Sequence, residues 1–143
     1  MTGKIQVVVL LMVGLAAGQV TFDWCETLTV PFCQDVPDMP YNLTYKTNAL
    51  SQKKQQDAGL DVFLPVKNCS SNFQALLCNV FAPVCTVLPH PIPPCRSACV
   101  AAKSACEAPM SRSGIAWPHE LDCEKFPDDG KPCIDVDDSS AEQ

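Results

Sequence analysis

Hydrophobic positions along this chain follow three patterns, each predicting a different element. The first is continuous. Apolar residues dominate from Ile5 to Ala17, Lys4 is the one charged side chain before them, and the small residues Ala16 and Gly18 close the run. About thirteen residues fall short of the ~20 that span a hydrocarbon core. A charged start, an apolar middle and a small-residue end make a secretory signal peptide. Residues 1–18 are expected to be a leader, leaving Gln19 as the first mature residue. No later apolar run reaches spanning length, and the ending "DVDDSSAEQ" is no lipid-anchor signal.

The second pattern is broken. From Thr21 to Tyr45, β-branched and aromatic residues are interrupted by Pro31, Pro37 and Pro40, which reads as short strands and turns. The third pattern is helical. "SQKKQQDAGLDVF" predicts a helix beginning after Ser51 as N-cap and weakened by Gly59. Phe73, Leu76, Leu77 and Val80 recur at i, i+3, i+4 and i+7, the spacing of one buried helical face, with Ser71 placed to cap it. A third helix is expected over "CRSACVAAKSACEA", entered through Pro93 and Pro94 and stopped by Pro109. At about 100° per residue, Cys95, Cys99 and Cys106 on that helix point to about 0°, 40° and 20°. Three thiols on one face suit a helix tied to three other segments.

Composition sharpens this picture. The chain has 143 residues, room for one domain, and its ten cysteines all follow the leader. An even, dense set of cysteines behind a signal peptide predicts a disulfide framework of five bridges. The net charge is −6, with the excess gathered after Asp128. That balance argues against nucleic acid and anionic membrane partners. Residues 135–143 are expected to be an acidic, solvated tail. "YNLT" carries an N-glycosylation sequon at Asn42, and "NCS" a second formal one at Asn68.

Site chemistry narrows the function classes. Cys95, Cys99 and Cys106 offer zinc-ligand types, but the two histidines, His90 and His119, lack ligand spacing; no metal and no cofactor are expected. Paired cysteines leave no thiolate nucleophile, and no serine sits in a nucleophile elbow. "HELD" at 119–122 offers acid and base types without defining a geometry. A rigid, proline-rich and cross-linked scaffold suits recognition, because little order must be gained on binding.

From Cys25 to Cys133 the chain resembles the cysteine-rich domain of Frizzled receptors and secreted Frizzled-related proteins. The resemblance is carried by "CETLTVPFC", "YNLT", "QQDAGLDV", "LLCNVFAPVCTVL", "IPPCRSAC", "CEAPM", "GIAWPHELDCEKFP" and Cys133. It implies a mainly α, disulfide-rich fold with a minor β element, occupying residues 19–134. Ten cysteines allow several hundred pairings. The resemblance selects Cys25–Cys85, Cys33–Cys78, Cys69–Cys106, Cys95–Cys133 and Cys99–Cys123.

The resemblance further implies a partner, an acylated Wnt protein, whose acyl chain enters an apolar groove. Phe63, Leu64 and Pro65 from one segment, and Met110 and Ile115 from another, match groove positions. Leu88, Ile92 and Ile134 are candidates for a second contact patch beside the bridged loop. For each residue, core packing is the competing role. Two departures bear on groove depth and lipid preference: "FLPVKN" between Val62 and Cys69 is several residues shorter than in typical members, and Ser113 stands where many have an aromatic. The expected function is an extracellular Wnt-binding module, as a receptor ectodomain or a secreted modulator, with homodimerisation on an acyl chain left open. A secreted carrier of free fatty acid or sterol is the alternative.

Overall fold

The computed structural model describes residues 22–37, 41–46 and 59–136. The leader, most of the helix expected after Ser51, and nearly all of the acidic segment lie outside the described residues.

Two short strands, β1 (Cys25–Thr27) and β2 (Leu43–Tyr45), pair antiparallel with Cys25 opposite Tyr45, Glu26 opposite Thr44 and Thr27 opposite Leu43. Between them Pro31 opens a single helical turn, α1 (Pro31–Gln34), where its missing N–H costs nothing. The second edge of β2 is also occupied, since Thr44 bridges Val84. The Tyr41 hydroxyl donates to the Ala82 carbonyl at 2.7 Å and fixes the approach to β2.

Gly59, at φ +85°, turns the chain into a 3-10 helix over Leu60–Val66. The described part of the helix expected after Ser51 is therefore 3-10 rather than α. With three residues per turn, Leu60, Phe63 and Val66 align inward, and Val62, Leu64 and Pro65 are left exposed. Pro65 falls inside this helix.

The helix α2 (Phe73–Phe81) buries Phe73, Leu76 and Leu77 completely, while Val80 is only partly buried. Its first boundary differs from the expectation. Asn72, not Ser71, is the N-cap, and no side chain caps it. Gln74 is buried too, because its amide donates to the Phe32 carbonyl at 2.8 Å and to the Asp35 carboxylate at 2.9 Å. Asn79 is buried with no hydrogen-bond partner among the described residues, a cost of about 1–3 kcal/mol.

Cys95 caps α3 (Arg96–Arg112) in extended geometry. Pro93 and Pro94 stay outside it, pairing instead with Ile134: Ile134 N–H donates to the Pro93 carbonyl at 2.8 Å, and Cys95 N–H to the Ile134 carbonyl at 2.9 Å. Pro109 does not stop α3, which runs another turn. Pro109 cannot donate to the Ala105 carbonyl, but Ala105 is exposed, so water can serve that carbonyl. Continuing the helix buries Met110. The true stop is Gly114, at φ +71°. Gly114 N–H donates to Ser111 and Ile115 N–H to Met110, the paired bonds of a Schellman motif.

Five disulfides form two nests and a link. Cys25–Cys85 encloses Cys33–Cys78, and Cys95–Cys133 encloses Cys99–Cys123. Cys69–Cys106 joins the inside of one nest to the inside of the other. Cys95, Cys99 and Cys106 all face inward and each goes to a different segment. Arg96 closes the C-terminal nest, donating to the Phe126 carbonyl and pairing with Asp128 at 2.7 Å. No described helix is long and apolar enough to cross a membrane.

One prediction arises from this packing. Burial pushes the Tyr41 phenol well above its ordinary value near 10. The folded state thus keeps this proton where the unfolded chain releases it, so stability should fall as pH rises beyond about 10. Urea midpoints at pH 9 and pH 11 should separate more for the parent than for Tyr41→Phe.

Candidate functional site

The Schellman motif ending α3 sets the candidate site. Its 2.8 Å bond from Ile115 N–H to Met110 places these two residues side by side, with Met110 in the core and Ile115 half-buried against it. The Leu60–Val66 helix packs against α3 and contributes Phe63 to the same core cluster. Phe63 meets the ring of Phe73 edge-on at 6.0 Å, and Phe73 meets Trp117 at 6.0 Å. Trp117 is held by its indole N–H, which donates to the Leu121 carbonyl at 2.6 Å.

The expected groove residues therefore divide. Phe63 (7% exposed) and Met110 (1% exposed) are core residues. Leu64 is 49% exposed, Pro65 is exposed, and Ile115 is half-buried. Two apolar residues not singled out from the sequence belong with them. Val62 is 50% exposed on the outer side of the 3-10 helix, and Trp117 is half-buried on the cluster. The signal for Trp117 was present in "WPHEL", an aromatic four residues before a leucine. Exposed apolar side chains above an aromatic row can accept hydrocarbon, and the one charged group on this 3-10 helix, the exposed Asp61, directly precedes Val62.

The second set lies around the loop between Cys85 and Cys95. Leu88 is 40% exposed and its neighbour Val87 is 70% exposed. Their backbone is held from beneath. The Tyr45 hydroxyl donates to the Leu88 carbonyl at 2.9 Å and shares a hydrogen bond with the Thr86 hydroxyl, also at 2.9 Å, while the Leu88 N–H donates to Thr86 Oγ1 at 3.2 Å. Trp24, stacked on Phe22, donates its indole N–H to the Thr86 carbonyl at 3.1 Å. Ile92 and Ile134 sit at the far end of the loop, where Ile134 pairs across Pro94. Leu88 is thus anchored over β2, while Ile134, just beyond Cys133, is fastened at Pro94, two residues after Ile92.

Other clusters offer less chemistry. Cys95, Asp129 and Cys133 come together, but both sulfurs are spent in one disulfide. His119 meets the ammonium of Lys125 at 3.2 Å on the surface, an arrangement that supplies no general base for a nucleophile. A broad open depression of about 720 Å³ lies along the outer face of α3, lined by Arg96, Ser97, Val100, Ala101, Ser104, Asp128 and Asp129. It lies on the opposite side of that helix from the inward-facing Met110.

Comparisons with known proteins identify the family. The model of the family described as Fz domain matches residues 25–130. Frizzled-1 of Xenopus laevis is 44% identical over 111 residues, covering 75% of this chain and 19% of that protein. The chain thus spans about a fifth of the length of the curated relative it matches. The crystal structure of the Smoothened CRD aligns with a TM-score of 0.49 and 26% identity, covering 73% of this chain and 93% of that one. With all ten cysteines bridged and the family model reaching from β1 to a point just short of Cys133, the chain belongs to the Fz domain family and is an extracellular, ligand-binding Frizzled-type cysteine-rich domain.

Proposed function

We propose that this domain binds an acylated Wnt protein, taking the acyl chain on the apolar surface formed by Leu64, Pro65, Val62 and Ile115. The observation that carries the reading is the exposure of Val62 and Leu64 beside a buried aromatic floor. Exposed large apolar side chains grouped on one rigid element mark interaction surfaces rather than solvent faces. Each methylene of a lipid buried there contributes about 0.8 kcal/mol, less the ordering cost of association. Phe63 and Met110 support the surface from below rather than touching the ligand. Leu88, Ile92 and Ile134, with Val87, supply the second contact, to the protein part of the Wnt. Binding is the whole task in this reading, with no catalytic step. Residues 1–18 are read as a leader and 135–143 as a tail that take no part.

The test is binding of the secreted domain to Wnt proteins with and without the acylated serine. Tight binding that depends on the acyl group is expected. Leu64→Glu should weaken it at least about tenfold, since burying a leucine contributes about 1.5–3 kcal/mol and tenfold is about 1.4. Val100→Glu, on the outer face of α3, should leave it unchanged. Failure of the folded domain to bind any acylated Wnt, with fatty acid or sterol extracted from the purified protein, would instead favour the lipid-carrier reading.

A further inference from the structure

We infer that Asn42 is a glycosylation site which the fold itself closes, so that its glycan is added only before the first disulfide nest forms. The acceptor sequon is Asn42-Leu43-Thr44, and its third residue must present a hydroxyl. In the folded domain Asn42 is exposed, but the rest of the sequon is not free. Thr44 is 1% exposed, and its hydroxyl donates to the Pro83 carbonyl at 2.7 Å. The backbone is held on both edges. The Asn42 carbonyl accepts from Leu28 N–H at 2.8 Å, and the Leu43 carbonyl from Cys85 N–H at 3.0 Å. Thr44 lies between Glu26 on β1 and Val84 on the other side. The Cys25–Cys85 bridge then locks both flanking segments around β2.

A hydroxyl buried in this way cannot be read by a transferase, and a strand paired on two edges cannot bend into an enzyme's cleft. Both obstacles need residues 39 to 42 positions further along, Pro83 to Cys85, so neither exists until that later segment has been made and docked. The transfer itself needs a lipid-pyrophosphate-linked oligosaccharide. The Asn42 amide nitrogen forms a bond to the sugar's anomeric carbon. The bond from that carbon to the pyrophosphate oxygen breaks, its electron pair leaving with the pyrophosphate, and the amide nitrogen gives up one proton. The exposed Asn42 side chain leaves room for the product once the domain has closed.

The experiment uses the full chain made without glycan, carrying Asn68→Gln so that one native sequon remains. It also carries Asp137→Asn, which makes residues 137–139 a reference sequon. One sample is oxidised with all five bridges, and the other is reduced and alkylated. Both are given oligosaccharyltransferase and a lipid-linked oligosaccharide, and occupancy is mapped by peptide mass. The expected result is a glycan at position 137 in both samples and at Asn42 in the reduced sample alone, with at least a tenfold drop on oxidation. Asn42 occupancy in the oxidised sample equal to that at position 137 overturns the inference, as does an unmodified Asn42 in the reduced sample.

Discussion

Phe73→Ala is expected to destabilise the domain by about 3–5 kcal/mol, the range for emptying a buried aromatic site. Phe73 is fully buried at the start of α2, and its ring lies between Phe63 and Trp117, each at 6.0 Å. Removing it takes away the shared contact of three elements: α2, the Leu60–Val66 helix and the segment after Gly114. Cys69–Cys106 and Cys33–Cys78 tether the segments on either side of Phe73, which limits how far the chain can relax into the hole. Thermal unfolding of the oxidised protein should show a midpoint lowered by more than about 10 °C. Ligand binding should also weaken below that midpoint, since Phe63 loses the ring that positions it. A loss under about 1 kcal/mol would mean that the aromatic row is not the support of the apolar surface.

Removing the Cys33–Cys78 bridge as the double variant Cys33→Ala/Cys78→Ala is expected to cost roughly 3 kcal/mol. The figure follows from the nesting. The two cysteines are 45 residues apart along the chain, but with Cys25–Cys85 in place a shorter route runs back through that outer bridge. The closed ring is then only about 17 residues, for which lost loop-closure entropy gives about 3 kcal/mol. Removing the inner and outer bridges together should therefore cost more than the sum of the two single removals. Each alone leaves the other to shorten the loop. A double-mutant cycle on urea unfolding tests this, and strict additivity would show that the bridges act through native packing rather than through the unfolded chain.

Much of this framework could be read from residue order, and the exceptions have physical reasons. The single-faced cysteines of α3 were legible because helical periodicity is a local property. The burial of Gln74 was not. A glutamine reads as solvent-facing, and its partners, Phe32 and Asp35, are 42 and 39 residues away in sequence. Pro109 obeys a local rule that burial of Met110 and the turn at Gly114 outweigh. The candidate site was legible as segments but not as faces. "FLP" names three adjacent residues, and only a three-residue turn decides that Phe63 goes in while Leu64 and Pro65 stay out. Val62 shares the outward side for the same reason. Leu88, Ile92 and Ile134 read as one patch, yet the structure anchors Leu88 over β2 and Ile134 at Pro94, because each end of the loop is fastened to a different nest.

That two-nest arrangement also fixes how the domain would carry a pulling force. Tension entering at Cys25 crosses directly to Cys85, and tension leaving through Cys133 arrives from Cys95. Residues 26–84 and 96–132 lie within covalent shortcuts, so the direct path bypasses them and only the path through Cys69–Cys106 enters them. The stretch from Thr86 to Pro94 is the only main chain between the two outer bridges, and the Cys69–Cys106 link runs beside it as a parallel tether. At about 3.5 Å per residue, so short a span lengthens very little. The proline-rich loop that displays Val87 and Leu88 is therefore the mechanical axle of the molecule. A ligand seated on it grips the shorter of the two covalent paths by which strain crosses the domain.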